Sequence, residues 1–192
     1  MLTDPMTLLA LIAGIAIVLA VIVLMARRRK QQRSAALRDH FGPEYDRLVD
    51  EHGDRTRAER ELMARRKRYD QLQIKLLSPE QCERFSASWA EVQQRFVDDP
   101  RGAVHDANAL VKEVMKERGY ETGSFDQRVA DLSVEHANVI DHYRAARTLA
   151  QASERGEAST EDLRQAMVHY RALFHDLLRA YDPHPILREA RA

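Results

Sequence analysis

A single cysteine among 192 residues leaves this chain without an internal disulfide, which agrees with a reducing compartment. Cys82 reads as a small apolar residue on a helix face rather than as a nucleophile. Only 7 glycines are present, and they are scattered. There is no Gly-x-Ser-x-Gly elbow, no phosphate-cradling loop and no Gly-x-Gly-x-x-Gly signature, so the motif-bearing hydrolase, P-loop and dinucleotide classes fall away. Alternation at period two is also missing beyond a few residues, which argues against a sheet. Net charge is zero, but the balance is uneven: residues 1–75 sum to +5 and residues 76–192 to −5.

The most informative absence is that of charge between Met6 and Ala26, where 21 residues pass before Arg27-Arg28-Arg29-Lys30. At about 1.5 Å per residue that run is about 30 Å long, the thickness of a hydrocarbon core. Basic residues before the run, a short core and a small-residue cleavage site are all lacking, so it does not read as a secretory signal. Asp4 is the only side-chain charge before it, while Arg33 and Arg38 extend the basic flank after it. The positive-inside rule then places residues 27–192 in the cytoplasm, with the N-terminus outside an inner membrane. Ala10-xxx-Gly14 is too short a small-residue face to argue for dimerisation.

Beyond the flank, apolar residues recur at three and four, and the breaks carry helix punctuation. Phe41-Gly42-Pro43 predicts a joint, followed by a helix from Pro43 to about His52 with Gly53 as its stop. Asp54 is expected to cap a helix running to about Ile74. Ser78-Pro79-Glu80-Gln81 has capping-box form and opens a stripe of Cys82, Phe85, Trp89, Val92 and Phe96. Asp99-Pro100 starts the next helix, ending at Arg118-Gly119. Ser124 to Gln127 opens a region interrupted near Ser133 and ending at Gly156, and Ser159 or Thr160 begins a last helix closed by Asp182-Pro183. The expected architecture is all-α. It has an N-terminal segment with one transmembrane helix (1–26), a basic helical neck (27–77), a four-helix cytosolic bundle (78–182) and a short tail (183–192).

Chemistry is harder to find. Eight histidines invite a metal site, but no Glu-x-x-His or His-Glu-x-x-His occurs, and no two histidines lie three or four apart. No metal, cofactor or catalytic residue is therefore assigned. The residues that could line a pocket in the bundle are His136, His142, His169, Tyr170 and His175, with the Tyr170 hydroxyl expected at a rim. The second conspicuous set is cationic: Arg27, Arg28, Arg29, Lys30 and Arg33, then Arg65, Arg66, Lys67 and Arg68, all candidates for anionic lipid headgroups. Glu61 stands four residues before Arg65, the favourable order for an ion-paired solvated helix. Aromatic residues are not interleaved with these arginines, which disfavours nucleic acid.

The segments Phe41-Gly42-Pro43-Glu44-Tyr45, Leu77-Ser78-Pro79-Glu80, Arg95-Phe96-Val97-Asp98-Asp99-Pro100 and Gly156 to Arg164 resemble a group of bacterial proteins with one N-terminal span and a helical cytosolic region. That group has no assigned activity, so the resemblance implies an origin and an architecture but no chemistry. The expected function is a non-catalytic, membrane-tethered adaptor or scaffold with an unidentified protein partner. A histidine-lined enzyme or ligand-binding bundle is the alternative, and a nucleic-acid tether through the neck is the third.

Overall fold

The computed structural model describes residues 5–179, with the side chains of residues 5–13 and 15–17 outside the described set. Among the described residues eight α-helices follow one another: α1 (Pro5–Phe41), α2 (Pro43–His52), α3 (Arg55–Tyr69), α4 (Pro79–Arg95), α5 (Pro100–Glu117), α6 (Phe125–Glu135), α7 (Ile140–Glu154) and α8 (Thr160–Leu178). A 3-10 turn, Ala137–Val139, joins α6 to α7. Among the described residues there is no strand. Among them, too, no helix is long and apolar enough to cross a membrane. Much of the uncharged run lies among the side chains outside the described set. The expected tail, 183–192, and the expected stop at Asp182-Pro183 lie outside the described residues.

Local signals set most boundaries. Ser78 accepts from the Gln81 amide while Gln81 reaches back to the Ser78 amide, and Ser159 with Asp162 repeats the arrangement. Asp54 caps α3 through Thr56, and Asp99 caps α5 through Gly102. Ser124 makes only half of its box, because the Gln127 side chain is turned along the helix, where its Nε2 donates to Asp131 at 2.9 Å.

The helices pack around two apolar cores. α8 lies against α7 and α5, and α4 packs on α5, giving a four-helix core built on Phe85, Trp89, Val111, Met115, Tyr143 and Phe174. The fifth helix of this region, α6, bridges outward: its Val129 and Leu132 enter this core while it also packs against α3. A second core gathers Leu37 and Phe41 of α1, Tyr45 and Leu48 of α2, Ala58 and Leu62 of α3, and Val134 of α6. The "neck" is therefore folded, and Tyr69 packs against both cores. The physical reason is that the basic stretch carries its own apolar stripe, and α6 supplies the surface that covers it.

Helix α3 also ends five residues before the expected stop. From Asp70 to Leu77 the chain becomes a strap whose Leu72, Ile74 and Leu77 pack onto the main core. The Lys75 amide donates to the Arg118 carbonyl at 2.9 Å, pinning the strap to the end of α5. Gly119 makes that closeness available. Its φ is +92°, and a Cβ there would lie 2.3 Å from the Gln73 carbonyl oxygen. Gly119→Ala should lower unfolding free energy by about 1–3 kcal/mol, from left-handed strain and displacement of the strap. Urea denaturation checks this, and an unchanged midpoint would mean the strap yields freely.

Candidate functional site

Histidines that are distant in sequence meet in two places. At the first, the His136 ring is held between α5, α6 and α8. Its Nδ1 lies 2.5 Å from Asp176 Oδ2, while Nε2 lies 3.0 Å from the Tyr120 hydroxyl and 3.3 Å from Arg118 Nη1. The Asp176 carboxylate can only accept, so Nδ1 is the donor in that contact. Arg118 is buried, yet its charge is answered: Nη1 donates to the Leu177 carbonyl at 3.1 Å, in the last turn of α8, where a cation complements the helix dipole. Glu135 stands 3.9 Å from Arg118 Nη2 and accepts from Tyr120 at 3.3 Å. Asp176 is held below the usual carboxylate range, chiefly by its hydrogen bond to His136. Both His136 ring nitrogens already face protein partners, so the cluster ties three helix ends together.

At the second place, His142 Nδ1 and His169 Nδ1 face each other 2.8 Å apart across α7 and α8. One proton serves both nitrogens, and burial followed by the His142 charge lowers the pKa of His169. A pair alone makes an incomplete metal site. No group of three or more potential metal ligands occurs among the described residues. His175 is exposed and joins neither cluster. Tyr170 departs from expectation, because its hydroxyl is buried without a hydrogen-bond partner rather than placed at a rim. The α8 stripe on which it lies is fully covered by the core, and burial raises its pKa.

The basic candidates divide in the same concrete way. Arg65 is turned inward, donating to Glu44 at 2.7 Å, to Ser133 at 3.2 Å and to Glu61. Arg68 binds Asp131 at 3.1 Å and Glu121 at 2.5 Å. Both are spent on the fold. Arg66 and Lys67 are exposed, but Arg66 acts on His40, whose pKa falls mainly through burial and then through the Arg66 charge. His40 lies about 20 Å along α1 from residue 26. Arg27, Arg28, Arg29, Lys30 and Arg33 remain exposed on α1.

Comparison with protein-family models, curated proteins and solved structures gives no match. The reading therefore rests on the chain's own residues.

Spacing had no means of finding Glu44. It is buried in α2 and accepts from Arg47 at 2.9 Å, Arg65 at 2.7 Å and Arg144 at 2.8 Å, joining α2, α3 and α7 through one carboxylate. Burial alone would raise its pKa; the three arginines more than reverse this and hold it at about 2.

Proposed function

We propose that the chain is a single-pass membrane-anchored interaction module whose helical body is held at the cytoplasmic face without catalysing a reaction there. The observation that carries this reading is the continuity of α1. Its side chains from Val18 to Met25 include seven large hydrophobic groups 48–58% exposed, while further along the same helix Ser34 is buried and Leu37 and Phe41 enter the second core. An apolar surface of that kind in water calls for a covering, and the uncharged run from Met6 to Ala26 has the length that a bilayer covers. The basic flank supports the cytoplasmic assignment of the body.

The adaptor reading is favoured over a catalytic one by the histidine geometry. A general acid or base must reach a substrate proton, and the His136 ring nitrogens are committed to Asp176, Tyr120 and Arg118.

The test is fractionation of the full chain with a reporter fused after Ala192. The chain should stay in the membrane pellet through alkaline carbonate, deletion of residues 6–26 should release it, and a reporter active only outside the membrane should remain silent. Release of the intact chain by carbonate would defeat the anchor. An active external reporter would reverse the orientation.

A further inference from the structure

Residues 26, 29, 30, 33 and 37 fall on one face of α1 at helical spacing, directly above the face whose Leu37 and Phe41 enter the second core. Where that face leaves the core, a groove of about 450 Å³ opens between α1 and α3. Arg29, Lys30 and Arg33 give it a cationic wall, and Ala26, Leu37 and Met63 give it an apolar one. Met63 is 40% exposed on a helix otherwise dominated by charge. The acid on the rim, Glu59, is already engaged by Tyr45 at 2.9 Å and Arg55 at 3.0 Å, so it does not neutralise the three cations.

The geometry points to this groove as a binding site for one anionic phospholipid of the cytoplasmic leaflet, its phosphate on Arg29, Lys30 and Arg33 and its glycerol and upper acyl region against Ala26 and Met63. The inference rests on the membrane-anchored reading and adds a ligand and a site to it. Three features favour a lipid over a free anion. The groove begins at Ala26, the last residue of the uncharged run, so its mouth coincides with the headgroup layer. It pairs positive charge with apolar surface, as a phosphodiester attached to a diacylglycerol requires. The cations come from consecutive turns of one helix, which spreads charge along a headgroup rather than enclosing a small ion. Arg27 and Arg28 carry the same charge but lie off this face.

The experiment inserts the full chain into bilayers of phosphatidylcholine and phosphatidylglycerol in equal proportion, extracts it and counts retained lipid by native mass spectrometry. The wild-type chain should retain phosphatidylglycerol selectively. The triple variant Arg29→Gln, Lys30→Gln, Arg33→Gln should lose that selectivity by about tenfold or more. Arg27→Gln with Arg28→Gln should keep it within about twofold. Equal loss in both variants would assign the effect to diffuse charge and overturn the groove, as would an absence of selective retention in a wild-type chain that inserts normally. Retained lipid displaced by millimolar inorganic phosphate would also overturn it, because the groove would then be an ion site. A chain that fails to insert at all defeats the anchor and the groove together, and carbonate extraction distinguishes that case from failure of the groove alone.

Discussion

Replacing Glu44 with Gln should destabilise the folded body by about 3–5 kcal/mol, the cost of removing one partner from a buried ion-paired network. Arg47, Arg65 and Arg144 would then face one another around a neutral amide. The pH dependence gives an independent check of size and sign. The folded pKa, about 2, is below the ordinary carboxylate value of 4.5, so the unfolded chain binds more protons between those values and stability rises with pH across that window. The contribution is complete above about 4.5, disappears as pH falls through about 2, and corresponds to about 3 kcal/mol. Urea midpoints between neutral and acid pH should therefore fall more steeply for the wild-type chain than for Glu44→Gln. Parallel acid limbs would mean that the carboxylate is not the residue that titrates.

Phe174→Ala should cost a similar amount, about 3–5 kcal/mol, for a different reason. Its ring is fully buried and stacks on Trp89 with centroids 4.7 Å apart. Truncation removes the stacking partner and leaves a cavity where α4 meets α8. In a body of this size that loss lowers the melting temperature on the order of 10 °C. Val97→Ala, at a residue 82% exposed, is the control and should change little. A Phe174→Ala variant that melts with the wild type would show that the stripes of α4 and α8 do not face each other in solution.

Features determined within one turn of chain were legible in the sequence. The caps at Asp54, Ser78, Asp99 and Ser159 need only residues two or three positions away. The stripe Val104, Ala107, Leu110, Val111, Val114 and Met115 is buried as its spacing implies. The strap was not legible, because Leu72, Ile74 and Leu77 satisfy a helical pattern and a short extended one equally well. The histidines His136, His142 and His169 stand as pocket candidates in the sequence, but their partners were not legible, for a more general reason. A test at separations of three and four has no access to His142 and His169, which are 27 apart, or to His136 and Asp176, which are 40 apart. Arg65 satisfied the local rule with Glu61, yet its burial follows from Glu44 and Ser133. For a charged side chain, tertiary partners decide whether it is exposed, and sequence spacing reports only the first candidate.

The Glu44 junction also sets an order of events during synthesis. Arg47 is beside it at once, Arg65 follows 21 residues later and Arg144 arrives 100 residues later. At about 5–20 residues per second, the last of the three emerges from the ribosome about 5–20 s after the carboxylate it binds. Ser133 and Asp131, which receive Arg65 and Arg68, also trail by 68 and 63 residues. Helices α1 to α3 are therefore translated long before the surface that closes over them exists. During that interval their arginines and apolar stripe stand open beside whatever lies nearest the growing chain, so the body nearest the N-terminus, although made first, cannot lock until α6 and α7 have followed it.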